Sequence, residues 1–131
     1  MKYEAALKQT RRNTFVWEKN WRVAVVARTP NLSAVAWDEA KALIEASSLG
    51  LVRANYATRT MELERGALIR FVTLADPLDI YKYSGHMFTQ IIVLDPGADM
   101  YPAGSLEYMR AMLRSPVVPT ESLLFQEYVT L

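Results

Sequence analysis

The hydrophobic pattern is densest in two short, nearly continuous apolar runs, Trp21 to Ala27 (WRVAVVA) and Phe88 to Leu94 (FTQIIVL). Runs of that length, rich in Val and Ile, predict strands buried on both faces. The first ends at Arg28-Thr29-Pro30-Asn31, where Thr29 can cap a helix whose first position is Pro30. That helix is expected to run to about Ser47, with Leu32, Val35, Ala36, Leu43 and Ala46 on one face and Gly50 closing it. Upstream, the imperfect stripe Tyr3, Ala6, Leu7, Phe15 and Trp17 predicts a helix over residues 3–19. Partial alternation over residues 51–63 and 67–74, joined by Glu64-Arg65-Gly66, predicts a hairpin with Gly66 at positive φ. Asp76-Pro77 opens a short helical turn reaching about Tyr83, and Gly85 breaks it. The second buried strand ends at Asp95-Pro96. A loop with Gly97, Pro102 and Gly104 follows, then a helix over residues 105–114 with Leu106, Met109, Met112 and Leu113 inward, stopped by Ser115-Pro116. Residues 122–130 (SLLFQEYVT) read as a last strand.

This order is that of an α/β domain. Two buried runs, each followed by an amphipathic helix, predict a mostly parallel sheet flanked by helices, with the antiparallel hairpin toward one edge. No repeat and no long linker divides the chain, so residues 1–131 are expected to form one domain. Arg28, Thr29 and Asp95 then fall at C-terminal strand ends, where such sheets bind ligands.

Composition narrows the class. Of 131 residues, 51% are apolar, too many for intrinsic disorder, and six Pro with five Gly are too few for a low-complexity chain. The longest apolar runs are too short to span a membrane, and MKYEAALKQTRR lacks the apolar core of a secretion signal. The absence of cysteine excludes disulfides and thiolate metal sites and agrees with a cytoplasmic location. The net charge of +1 hides an asymmetry. Residues 1–28 carry Lys2, Lys8, Arg11, Arg12, Lys19, Arg22 and Arg28 against Glu4 and Glu18, so the rest of the chain is net acidic. The basic front end is suited to phosphate or an acidic partner, through Lys8, Arg11, Arg12 and Arg28 above all; equally, it complements the acidic body of its own chain.

Candidate chemistry is sparse. Neither GxxxxGK[ST] nor GxGxxG is present, and His86 is the only histidine. Ser84, His86 and Asp95 supply the residue types of a catalytic triad, without a GxSxG elbow to support it. Asp76, Asp79, Asp95 and Asp99 are the candidate Mg²⁺ ligands, although Asp76 before Pro77 reads as a helix cap and Asp99 as a loop residue. Asp95, directly after Ile91-Ile92-Val93-Leu94, stands where nucleotide hydrolases place an aspartate beside the Mg²⁺ of a triphosphate. Trp17, Trp21 and Trp37 read as core anchors or a contact surface, and Tyr101, Tyr108 and Met109 as helix packing or a groove lining.

The stretch from Leu78 to Ser115, with Asp76-Pro77 before it, resembles the Walker B region of large terminase subunits, the ATPases that package DNA into phage heads. Asp76-Pro77, Gly85, Phe88, Ile91 and Asp95 follow in the family's order, as do Leu113-Arg114-Ser115. Upstream, WRVAVVARTPNL resembles the family strand that ends in an Arg-x-Thr turn, and Gly66 with Ile69-Arg70-Phe71 resembles its hairpin segment. The resemblance covers about residues 21–130 and implies a P-loop NTPase-like core, in which Asp95 is a degenerate Walker B aspartate.

The departures from that pattern imply lost chemistry. MKYEAALKQTRRNTFVWEKN, with no glycine, stands where a Walker A loop belongs, and Pro96 stands where the family has its catalytic glutamate. With the sequence ending near the strand that would carry the coupling motif, the expectation is that no nuclease domain follows. The expectation is therefore a catalytically silent phage or prophage protein with no bound cofactor and no Mg-ATP, binding a protein such as a packaging motor subunit as regulator or decoy. Residues 1–20 would cover the exposed core through Leu7, Phe15 and Trp17. The alternatives are a nucleic-acid-binding module using the basic N-terminal helix, or a residual nucleotide-binding enzyme using Asp95 with Asp76 or Asp79.

Overall fold

The computed structural model describes residues 1–9, 20–46, 50–95, 100–116 and 118–131. Helix α1 (Tyr3–Lys8) precedes β1 (Arg22–Ala27), α2 (Pro30–Ala46), β2 (Leu51–Asn55), β3 (Thr60–Leu63) and β4 (Leu68–Thr73). A 3₁₀ turn (Asp79–Tyr83), β5 (Gln90–Leu94), α3 (Ser105–Ala111) and β6 (Leu124–Val129) complete the order. One six-stranded sheet forms, ordered β2-β3-β4-β1-β5-β6. β4, β1, β5 and β6 are parallel neighbours, and β2 and β3 extend the β4 edge antiparallel. The expected parallel pairing of the two buried runs is thus present, residue by residue from Val23 opposite Gln90 to Val26 opposite Val93.

Strand alternation sorts the core into two layers. Val23, Val25, Ala27, Ile69, Phe71, Ile92 and Leu94 face α1 and α2, while Ala24, Val26, Val72, Leu74, Ile91 and Val93 face α3 and the 3₁₀ turn. Helix α2 begins as its sequence dictates, with Thr29 Oγ1 accepting the Leu32 N–H at 3.2 Å. Its inward face, however, is Ser33, Ala36, Trp37, Ala40 and Ile44. Val35 and Ala46 are exposed, because the Trp37 ring packs edge-on against Phe71 at 5.2 Å and sets the helix rotation.

Further local details differ from the sequence pattern. The predicted segment 51–63 is itself a hairpin, because Asn55 Oδ1 accepts the Thr58 N–H at 3.3 Å and Arg59 turns the chain at φ 55°. The Glu64–Gly66 turn uses positive φ at both Arg65 and Gly66. β5 starts at Gln90, since Phe88 leaves the sheet to bridge Leu113, which also ends α3 short of residue 114. Asp76 is not the cap of the 3₁₀ turn. Asp79 reaches back instead, its Oδ2 accepting the N–H groups of Ala75 and Asp76 at 2.9 and 2.8 Å.

Helix α1 covers the sheet near β6. Tyr3, Ala6 and Leu7 are buried, Tyr3 donates its hydroxyl to the Ala36 carbonyl at 2.9 Å, and Lys2 bridges Thr130. Of the predicted helix 3–19, residues 10–19 with Phe15 and Trp17 lie outside the described residues.

One buried amide fastens this end. Gln90 is fully buried; its Oε1 accepts from Trp21 Nε1 at 3.0 Å, and its Nε2 donates to the Ala6 carbonyl at 3.0 Å and to Gln126 Oε1 at 2.8 Å. Replacing it by Leu keeps the volume but removes the acceptor of the buried Trp21 indole N–H and the links to α1 and β6. Gln90→Leu should lose about 2–4 kcal/mol by urea denaturation, and Gln126→Ala, nearer solvent, only about 1 kcal/mol.

Candidate functional site

Parallel α/β sheets take ligands at the C-terminal strand ends, where consecutive connections leave a central strand to opposite sides. Here that point is β1, flanked by β4 and β5. Arg28 follows it directly, and two carbonyls engage its guanidinium. Nε donates to Met100 O at 2.6 Å and Nη1 to Ala75 O at 2.8 Å. Arg28 thus ties the loop after β4 to the loop before α3 across the mouth of the sheet. Thr29 is consumed as the α2 cap.

Tyr101 closes the crevice from the β5 side. Its ring is buried, and its hydroxyl lies 2.7 Å from Leu94 O and 3.2 Å from Val26 O, the final turns of β5 and β1. One phenolic proton is shared between the two carbonyls. Burial raises the Tyr101 pKa well above the tyrosine range; the Asp95 charge adds to this and Arg28 opposes it. Tyr101 therefore seals two strand ends rather than packing along α3, as Met109 does.

Asp95 sits where its position after the apolar run predicts, exposed at the end of β5, with its N–H donating to Val129 O at 2.8 Å. Pro96 and Asp99 lie outside the described residues. Asp79 is committed to its own turn. The Asp76 N–H bond lowers its pKa most, burial opposes, and Lys82, 3.1 Å away, lowers it further. No group of three metal-ligating side chains occurs among the described residues. The triad of Ser84, His86 and Asp95 does not assemble, because β5 separates His86 from Asp95 by its whole length, about 16 Å. His86 Nδ1 instead contacts Tyr83 O at 2.9 Å.

Among the basic candidates, Lys8 pairs with Glu4 at 2.9 Å along an exposed helix face, and Arg11 and Arg12 lie outside the described residues. Trp21 and Trp37 are core residues. Tyr108, read as helix packing or a groove lining, is 41% exposed and meets Tyr81, 58% exposed and not singled out by the sequence, edge-on at 5.7 Å; Leu78 is 73% exposed.

No protein-family model and no curated protein matches the chain. The site is defined by its own geometry, which makes a pH-dependent expectation. The raised Tyr101 pKa means that this group's contribution to stability is intact below about pH 10, the unfolded tyrosine value, and is lost as pH rises through the higher folded value. Tyr3, whose pKa burial also raises, acts in the same direction. Tyr101→Phe should cost about 1–2 kcal/mol near neutrality and flatten part of the alkaline loss of stability, read from urea midpoints at successive pH values.

Proposed function

We propose that this domain is a non-catalytic counterpart of a packaging ATPase core, of phage or prophage origin, that acts in the host cytoplasm by binding another protein. The carrying observation is that Arg28 and Tyr101 occupy the crevice at the β1 and β5 strand ends. Side chains that a nucleotide site would leave facing a ligand here join one loop to another. The P-loop NTPase-like assignment rests on the terminase resemblance; the parallel pairing of β1 with β5 and the position of Asp95 after β5 support it.

The same reading accounts for the aromatic cluster. Tyr81 and Tyr108 expose paired rings, and Leu78, three residues before Tyr81, is exposed as well, a composition that protein contacts favour. A domain shaped like a motor subunit but unable to fire would occupy a subunit interface and hold it idle. The partner is accordingly a packaging-motor subunit, with this chain as regulator or decoy.

Two measurements test the reading. Purified protein should show no ATP hydrolysis above a blank and no change in Tm with Mg-ATP. Turnover of even about 1 s⁻¹ that Asp95→Ala abolishes would overturn it. Tyr81→Ser with Tyr108→Ser should leave Tm within about 2 °C of the parent, since both side chains are exposed, yet weaken binding to the large motor subunit at least about tenfold.

A further inference from the structure

At the opposite end of the sheet, about 20 Å along β1 from the crevice, the strands open onto a groove of about 510 Å³. Three arginines from separate parts of the chain line it: Arg22 opening β1, Arg70 within β4 and Arg114 after α3. Arg22 and Arg70 share the parity of Ala24 and Val72, so both project from the α3 side of the sheet. The register sets Arg70 beside Ala24, two residues beyond Arg22, which puts the two Cα atoms about 8 Å apart. That spacing lets two guanidinium groups converge on one tetrahedral anion.

Among the described residues, nothing neutralises this cluster. No carboxylate lines the groove, and no ion pair engages Arg22, Arg70 or Arg114 among the described residues. Glu62 lines the adjoining hollow beyond Arg70 and forms no ion pair with it. Most telling is Arg70 Nε, which is buried without a hydrogen-bond acceptor. A buried charged donor is costly to leave unmet, and in folded proteins such a group requires an explanation. The Arg22 backbone, by contrast, is pinned in both directions: Thr89 Oγ1 accepts its N–H at 2.8 Å and donates to its carbonyl at 2.9 Å. The strand end is fixed while its guanidinium stays available.

We propose that this groove is a binding site for the phosphoryl group of a larger ligand, held by Arg22, Arg70 and Arg114. One guanidinium fork satisfies a carboxylate, whereas three forks match the oxygens of a phosphoryl group. The volume far exceeds that of a phosphate ion, and Leu68, Met87 and Pro116 add apolar wall for the organic part. The site uses none of the residues at the closed crevice, so it stands or falls independently of the function proposed above.

The test is a thermal titration of the full chain with inorganic phosphate from about 1 to about 20 mM, chloride replacing it at constant ionic strength. A saturable rise in Tm of about 3–6 °C, specific to phosphate, is expected. Arg70→Met should abolish it, and so should the exposed pair Arg22→Gln with Arg114→Gln, which decides the matter if the Arg70 variant does not fold. Lys41→Gln on α2 should leave it intact. Two competitors identify the source of the phosphoryl group: adenosine monophosphate for a small monoester, and a ten-nucleotide strand without terminal phosphates for a diester backbone. Displacement of phosphate by either supports the site. No rise, an equal rise with chloride, or a rise that survives in the folded variants would overturn it.

Discussion

A side-chain amide with no access to water has to find partners inside the protein, and Gln90 finds three. It meets the Trp21 indole at the entrance to β1, the Ala6 carbonyl at the end of α1, and Gln126 in β6. Helix α1 is a helix of six residues, far too short to persist alone. It holds its place because Gln90 answers one of its terminal carbonyls while Tyr3 anchors its start to α2. Gln126 passes the chain of hydrogen bonds outward to Gln9 Oε1 at 2.7 Å. The register of β6 and the seat of α1 are therefore one constraint, set by a polar residue in the most apolar strand of the sheet.

What was legible in the sequence follows from how local its cause is. The burial of β1 and β5, the Thr29 cap and the positive φ at Gly66 each depend on a few neighbouring residues, and each is present. The split of residues 51–63 into two strands was hidden because the turn depends on Asn55 and on a non-glycine, Arg59, at positive φ. The rotation of α2 was hidden because Trp37 is positioned by Phe71, which lies more than thirty residues away in the chain. Gln90 itself read as one interruption in an apolar run. Its partners come from positions 6, 21 and 126, which no window along the chain brings together.

The candidate site divides in the same way. Placing Arg28 and Asp95 at strand ends needed only the strand pattern, and the structure puts them there. That Arg28 spans two loops, and that Tyr101 bonds to the ends of two strands, depends on backbone carbonyls that carry no sequence signature. The arginines at the other end were overlooked for a related reason. Arg22, Arg70 and Arg114 are far apart in the sequence, and β-sheet register with the return from α3 makes them neighbours.

The two ends of the parallel strands are thus chemically opposite. At the C-terminal ends, cationic and phenolic groups are spent on the chain's own carbonyls. At the N-terminal ends, three arginines line one groove, and among the described residues none of them forms an ion pair. A buried Arg70 Nε without a hydrogen-bond partner calls for an explanation, and the proposed phosphoryl ligand supplies one. In most sheets of this type the C-terminal face meets the ligand and the N-terminal face serves stability. In this domain both faces carry stabilising bonds, Gln90 and Thr89 at the N-terminal ends and Arg28 and Tyr101 at the C-terminal ends. The proposed phosphoryl site lies at the N-terminal ends, where the guanidinium groups of Arg22, Arg70 and Arg114 form no ion pair among the described residues.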